Sequence, residues 1–476
     1  MNQDVKHRLI KTRDESPAAR SATIDLYAKR KKIQPRSIDG FFQNIRLVTI
    51  WATLTAYLVL PWITWDGRQA LLFDLPARNF YIFGWTFLPQ DFVLLSWLLI
   101  MAAFSLFAVT VFAGRVYCGY VCPQTVWTRI FLIIEQFAEG GRNARLRLDK
   151  APLSLEKFLR RSLKHMLWLA VAFVTAITFV GYFTPARELT FELLHLQVGF
   201  WEMFWILFFT GATYMNAGWL REQVCMYMCP YGRFQSVMFD RDTLIISYDA
   251  KRGEPRGSRK RDADPHAAGL GDCIDCELCV QVCPTGIDIR DGLQFECIQC
   301  AACIDACDSV MDQMGYGRGL VRYTTENILK RGGRFRFLRL RLVGYAVVLG
   351  LMAALFVVTL ALRVPLEAEA IRDRNQLYRE NGEGMIENVY LLKVLNKSQH
   401  DERYRVVIEG DAAIFLRAPL VLHVAAGEQV SAPVTLSASP GLLKTSKSDV
   451  EFKVQSLSNP GIEKKIESRF LAPASL

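Results

Sequence analysis

Residues 273–284 read CIDCELCVQVCP, and residues 297–308 read CIQCAACIDACD. Both follow C-x2-C-x2-C-x3-C, so eight of the 12 cysteines fall in one pattern written twice. At this spacing three thiolates wrap one iron–sulfur cube and the fourth reaches its neighbour. One [4Fe–4S] cluster is thus expected on Cys273, Cys276, Cys279 and Cys307, and the other on Cys283, Cys297, Cys300 and Cys303. Pro284 closes the first run as the pattern requires; Asp308 replaces the second proline. Zinc also uses CxxC pairs, but two uninterrupted four-cysteine runs are unusual for zinc knuckles. Two adjacent cubes make a path for electrons.

The rest of the 476-residue chain is 51% hydrophobic, with 10 Trp and 30 Phe. Its apolar residues gather in runs of roughly 20, the length that crosses a hydrocarbon core of ~30 Å. Five spans are expected, at 44–65, 91–113, 162–183, 197–218 and 341–363. YIFGWTF, from residue 81, is too short to cross and reads as an interfacial aromatic stretch. The first 40 or so residues are polar and basic (KRKKIQPR), without the apolar core of a cleavable signal, so the first span is expected to remain as an anchor.

The net charge of +10 does not point to nucleic acid, because Lys and Arg flank the apolar runs on alternate sides. The N-terminus, 114–161 and 219–340 are basic, whereas the loops near 66–90 and 184–196 carry only Arg68, Arg78 and Arg187. Positive-inside bias then places the N-terminus in the cytoplasm and the C-terminus outside. A disulfide framework is not expected for the cysteine runs in the reducing cytoplasm.

The expected organisation is a basic cytoplasmic segment (1–43), four spans (44–218), a ferredoxin-like cytoplasmic insert (219–340), a fifth span (341–363) and a soluble region (364–476). Within the insert, DAKRGEPRGSRKRDADPHAAG reads as a flexible basic linker. The last region opens on a helical-looking stretch, EAEAIRDRNQLYREN. VYLLKVLNKS, YRVVIEG, LVLHVAAG, APVTLSAS and VEFKVQSLS then alternate as strands of a small β-sandwich, read as an interaction or capping domain.

The remaining four cysteines form CGYVCP (118–123) and CMYMCP (225–230), each after an apolar run. Cys118 and Cys122, like Cys225 and Cys229, stand at i and i+4, a spacing that shares a helix face. Two such pairs meeting would make a four-thiolate site. With Met226 and Met228 as thioether donors it would favour Cu(I), although an iron–sulfur site needs the same cysteines. The plainer alternative is that all four are buried small residues. GYGRG (315–319) lacks a nucleotide-binding frame, and there is no CxxCH haem site. His165 and His195 adjoin spans, as interfacial residues or as ligands for metal or haem. Glu135 and Glu202 lie near or within apolar segments, where an ionisable side chain is a functional candidate, although Glu202 stands near the outer edge and can simply be solvated.

These motifs, with GLVRYTTEN after the second run, resemble the cytochrome c oxidase accessory proteins, the CcoG/FixG family of membrane ferredoxin-like proteins, from about residue 35 to the C-terminus. Gly317 stands where that family has proline. The resemblance implies a multi-pass bacterial inner-membrane protein with two [4Fe–4S] clusters and a periplasmic immunoglobulin-like domain. It also implies reduction of Cu(II) to Cu(I) in assembly of a cbb3-type oxidase, with copper ions, oxidase assembly factors or copper chaperones and a cytoplasmic electron donor as partners. The family's CxxxCP pairs fall on Cys118/Cys122 and Cys225/Cys229. An electron-transfer subunit of a quinol-linked chain and a non-redox copper-binding scaffold are the alternatives.

A reporter fused after Leu476 is expected to read as periplasmic, and one inserted within 251–268 as cytoplasmic. The reverse result for either insertion would detach the cysteine runs from the cytoplasm.

Overall fold

The structure is a computed structural model. It describes residues 32–473, except Asp66, 261–268, Phe337, 374–375, Gln399, Lys444 and the side chains of Gln90 and Ser236. Residues 1–31 of the basic N-terminal segment and 261–268 of the linker therefore lie outside the described residues. The chain divides into two compact units. One comprises residues 1–56, 103–176 and 206–346, and the other 57–102, 177–205 and 347–476.

Among the described residues, four helices are long and apolar enough to cross a membrane: Phe41–Trp62, Phe92–Ala113, Leu155–Val180 and Leu340–Ala361. The most apolar stretches of the second and fourth bury none of their residues in protein, and side chains such as Phe92 and Leu351 stay exposed. Apolar surface on that scale calls for lipid. The expected span at 197–218 is helical but changes type, from the α-helix Phe200–Thr213 to the π-helix Tyr214–Leu220. Its α-helical part, 14 residues, rises only ~21 Å at ~1.5 Å per residue.

In the cysteine-rich unit, the Phe41–Val59 helix is capped from far away in sequence. Asp305 accepts the backbone N–H groups of Phe42 (3.2 Å) and Gln43 (2.7 Å), supplying the carboxylate that a helix N-terminus favours. Gly40 allows that approach, since a Cβ there would run into the Asp305 side chain. The two halves of the unit are also joined by the short antiparallel pair Ile245–Tyr248 and Val321–Thr324. The linker is tied down over its described part, because Arg252 pairs with Asp272 (2.5 Å) and Arg259 donates to the Tyr316 hydroxyl (3.0 Å).

The amphipathic helix Pro123–Glu139 carries the ionic centre of this unit. Glu135, fully buried, pairs with Lys32 (2.5 Å), Arg145 (3.1 Å) and Arg221 (3.0 Å), and Glu139 pairs with Lys164 (2.7 Å). The apolar segment around Glu135 hid a structural role.

In the second unit the C-terminal sandwich has two antiparallel sheets. One orders Ile414–Leu416, Gln429–Ala438, Ile386–Asn396 and Leu366–Arg372, with Arg379–Glu380 also on Ile386–Asn396. The other orders Leu420–Val424, Glu402–Gly410, Lys447–Ser456 and Glu463–Leu471. Tyr390 and Phe452 meet edge to face at 5.0 Å in the shared core, and the Tyr390 hydroxyl donates to the Arg469 carbonyl (2.8 Å). All five expected strands are present. The helical expectation for the stretch from Glu367 is corrected, since Leu366–Arg372 is a strand. Leu366 and Ala368 face inward and Glu369 outward, while Glu367 pairs with Lys397 (3.2 Å) and Lys464 (3.3 Å). Pairing with Ile386–Asn396 overrides the helical propensity of an Ala/Glu-rich stretch.

YIFGWTF, expected as an interfacial stretch, forms the strands Asn79–Ile82 and Trp85–Phe87, which pair with each other. Asp91, just before the Phe92–Ala113 helix, accepts from Arg363 (2.6 Å) and from Lys397 of the sandwich (3.3 Å).

Burial by itself would raise the Glu135 pKa, but Arg221, Lys32 and Arg145 outweigh it and hold the carboxyl at about 2. A depressed carboxylate pKa stabilises the fold above the unfolded value of 4.5, and that contribution is lost as pH falls towards 2. Glu135→Gln, which strands two buried guanidinium groups, is expected to cost about 3–5 kcal/mol at neutral pH. Thermal melting in detergent checks this, and the gap from wild type should narrow as pH drops below 4.5.

Candidate iron–sulfur centre

The first two cysteines of each run lie on loops, and the runs close around two cavities. Cys273, Cys276, Cys279 and Cys307 line one cavity, walled by Ile274, Leu278 and Leu320. Cys283, Cys297, Cys300 and Cys303 line the other, walled by Ile287, Ile289 and Ile298. Cys279 borders both, so the cavities share a wall. These are the two sets expected from the spacing.

Both loops bend in the same way. Asp275 and Glu277 flank Cys276 with φ of 55° and 56°, and Gln299 and Ala301 flank Cys300 with φ of 54° and 60°. Left-handed backbone at non-glycine residues costs of order 1–3 kcal/mol each. That cost is repeated at equivalent positions because the chain must turn three sulfurs towards one point. The short helices Leu278–Gln281 and Ala302–Met314 then carry the third cysteine of each run.

The donor set fits a polynuclear cluster. Every cysteine is a free thiol. Among the described residues no three His, Cys, Asp or Glu side chains converge as one metal ion would need. A single tetrahedral zinc, with bonds of ~2.3 Å to sulfur, would draw its thiolates to about 3.8 Å apart. Burial pushes the Cys279, Cys297 and Cys307 thiols up to about 12, so ionising them calls for a strong positive partner.

The CxxxCP pairs depart from the shared helix face. Cys118 lies in the helix Val116–Tyr120, whereas Cys122 is the N-cap of Pro123–Glu139. Cys225 lies in the π-helix Val224–Met228, and Cys229 is the N-cap of Pro230–Met238. The proline after each second cysteine restricts that cysteine to extended backbone and starts a new helix at its first position. Each pair thus straddles a helix break, and a thiolate at a helix N-terminus is favoured there. Burial raises the Cys122 thiol, opposed by the Thr125 and Gln124 amides.

Three contacts hold the two pairs face to face. Thr110 and Tyr231 share a hydroxyl–hydroxyl hydrogen bond (2.5 Å), Arg115 Nε donates to Gln235 Oε1 (2.8 Å), and Cys118 Sγ donates to the same oxygen (3.4 Å). Cys225 is pushed up to about 12 by burial and by the neighbouring Cys122, Cys118 and Cys229 thiols, with Arg115 opposing.

The first pair also abuts a cluster loop. A Cβ on Gly119 would lie 2.8 Å from the Ile298 carbonyl, 2.9 Å from that of Gln299 and 3.0 Å from the Cys300 Cα. Cys118 packs with Val282, Ile298 and Cys300 in one buried cluster. The Arg115 N–H donates to Gln299 Oε1 (2.8 Å), and its guanidinium donates to the Phe295 carbonyl. Sequence reasoning missed Arg115, Gln235 and Gln299; the one legible hint was a basic residue directly after an apolar run.

Other candidates have local roles. Met228 is 62% exposed and Met226 half-buried. Glu202 sits in the first turn of Phe200–Thr213, where a carboxylate suits the helix dipole. His195 shares a hydrogen bond with the Phe191 carbonyl (2.8 Å). His165 Nδ1 meets the Tyr214 hydroxyl (2.8 Å), and the ring lines a cavity of about 340 Å³ with Lys164, Trp168, Trp219 and Arg221. In GYGRG, Gly315 ends the Ala302–Met314 helix with φ of 74° and the Gly317 carbonyl accepts from Arg252.

Three family models match: a 4Fe-4S dicluster domain over 220–326, a 4Fe-4S binding domain over 93–133, and the IG-like fold at the C-terminal of FixG over 356–473. The nitrogen fixation protein FixG of Rhizobium meliloti is 39% identical over 437 residues, 82% of each chain. Protein RdxA of Cereibacter sphaeroides is 40% identical over 404 residues, 82% of this chain and 84% of that one. The crystal structure of a FixG-related protein from Vibrio parahaemolyticus is 33% identical and covers 22% of this chain and 95% of that one, with a TM-score of 0.21. At 39–40% identity over about four-fifths of its length, and with the C-terminal IG-like fold of FixG matched over 356–473, the chain belongs to the FixG family of iron–sulfur proteins.

Proposed function

We propose that this protein passes single electrons through two [4Fe–4S] clusters to the four CxxxCP cysteines, where Cu(II) is reduced to Cu(I) for assembly of a cbb3-type oxidase. The observation that carries this reading is the close packing of Gly119 and Cys118 on residues 298–300. At Gly119 and Cys118 the first cysteine pair is packed directly on the cluster loop. Cys273, Cys276, Cys279 and Cys307 hold one cluster, and Cys283, Cys297, Cys300 and Cys303 the other. The shared wall at Cys279 keeps the two within one short path.

In this reading the chain crosses a bacterial inner membrane five times, counting the Phe200–Thr213 helix with its π-helical extension. The clusters face a cytoplasmic donor, and the sandwich faces the periplasm, where assembly factors or copper chaperones meet it. The Lys/Arg asymmetry supports this orientation. Each cupric ion takes one electron, the number an iron–sulfur cluster passes at a time. Arg115, buried beside the thiolates, offsets their negative charge.

A quinol-linked role is the second reading, favoured by the His165 cavity. Its volume of about 340 Å³ is within the range of small-molecule sites, and its Trp168 and Trp219 walls suit a flat ring.

Anaerobic stopped-flow mixing of pre-reduced protein with Cu(II) tests the main reading. Wild type should lose its reduced-cluster signal rapidly. The Cys225→Ser/Cys229→Ser protein should keep the clusters yet react slower by roughly tenfold or more, about 1.4 kcal/mol in the barrier. Gly119→Ala, which forces the two backbones apart, should also slow the reaction with every thiol in place. Equal rates in all three would mean that copper meets the clusters directly; no reaction in wild type would leave an assembly scaffold.

A further inference from the structure

We infer that Cys118, Cys122, Cys225 and Cys229 together hold a third [4Fe–4S] cluster, rather than a copper ion resident on these thiolates. The inference rests on the proposed redox role of these four residues and changes what occupies them.

Counting restricts the ligand set. Of 12 cysteines, eight line the two cavities, which leaves these four. The 4Fe-4S binding domain that matches 93–133 contains only Cys118 and Cys122, half of what a cube needs. Its other two thiolates come from outside that segment, and of the cysteines held against it Cys225 and Cys229 are the ones that line neither cavity. The clamp is the set of Thr110–Tyr231, Arg115–Gln235 and Cys118–Gln235 hydrogen bonds, which fixes the Pro230–Met238 helix against the end of Phe92–Ala113 and the chain that follows it.

Charge and ligand chemistry favour a cube over an ion. None of these cysteines belongs to a group of three close enough for one metal, the same condition seen for the eight cysteines around the cavities. A single copper also prefers fewer thiolates, since four around one monovalent ion leave more uncompensated negative charge than four around a cube. Of the two thioethers that would tip the choice to copper, Met228 is 62% exposed and turned to the surface, which leaves only Met226 half-buried beside Cys225. The local chemistry instead repeats that of the first cysteine run, where the ligand Cys283 is followed by Pro284. Cys122 is likewise followed by Pro123, and Cys229 by Pro230.

A cube here would lie against the loop of Cys300 through Gly119, extending two clusters to three. Copper is then a diffusing electron acceptor and not a ligand of the cysteines: one electron leaves the reduced protein and Cu(II) becomes Cu(I).

Full-length protein made and purified anaerobically without added copper decides the matter by iron and acid-labile sulfide analysis. Three cubes give about 12 irons and 12 sulfides per chain, and two give about eight. Wild type should show the larger number, and Cys118→Ser/Cys122→Ser and Cys225→Ser/Cys229→Ser proteins the smaller, with the EPR signals of the two remaining clusters retained. Met226→Leu/Met228→Leu should keep the full count. A wild-type count near eight overturns the inference, whatever the folding of the variants. The two readings fail separately. Eight irons with rapid oxidation by Cu(II) would leave the cupric reductase standing without a third cube, and 12 irons with no response to Cu(II) would do the opposite.

Discussion

A thiolate in a low-dielectric interior is the constraint on which the cysteine-rich unit depends. Moving an ion out of water costs several kcal/mol even after relaxation. Half of the other residues around the eight cysteines are isoleucine, leucine or valine, and the charged side chains among them are Glu277 and Arg290, both on one cavity. The backbone adds the left-handed turns at Asp275, Glu277, Gln299 and Ala301. Neither cost is repaid by regular secondary structure, which is sparse among the described residues between 254 and 301. Iron bound to sulfur offsets both, so cluster binding and folding of this region are one process.

Around that centre, charge is placed where it ties separate parts of the chain together. Glu135 gathers Lys32, Arg145 and Arg221 from three segments, and Arg115 reaches the Gln235 helix, the Gln299 loop and the Phe295 carbonyl. In the other unit Asp91 links the neighbourhood of two apolar helices to the sandwich through Arg363 and Lys397. Apolar packing between lipid-facing helices is weakly discriminating, because lipid is as apolar as leucine. Ion pairs at the helix ends supply the specificity.

Much of this was legible. The spacing of the cysteine runs divides their thiols between two cages as the cavities do, since the ligand order follows directly from chain geometry. The alternation of VEFKVQSLS marks a strand because buried Val450, Phe452 and Val454 recur every second residue. The failures share one cause, that local pattern underdetermines tertiary pairing. EAEAIR alternates as well, but helix-forming residues masked its period of two. The i, i+4 cysteines suggested a shared face, yet Pro123 and Pro230, both visible, break each helix between the thiols. Arg115, Gln235 and Gly119 matter through residues more than a hundred positions away, and no single-sequence pattern shows such partners.

The carboxylate of Asp305 closes the start of the first apolar helix across 262 positions of sequence. During synthesis that helix is made long before its cap. At about 5–20 residues per second, the interval is on the order of tens of seconds. Throughout it the amides of Phe42 and Gln43 must be met by water or lipid headgroups. The same helix of residues 302–314 carries Cys303 and Cys307, one lining each cavity. Arrival of iron at the nascent chain therefore sets when the first membrane helix acquires its final seat, and a shortage of iron would be felt as a defect in membrane assembly.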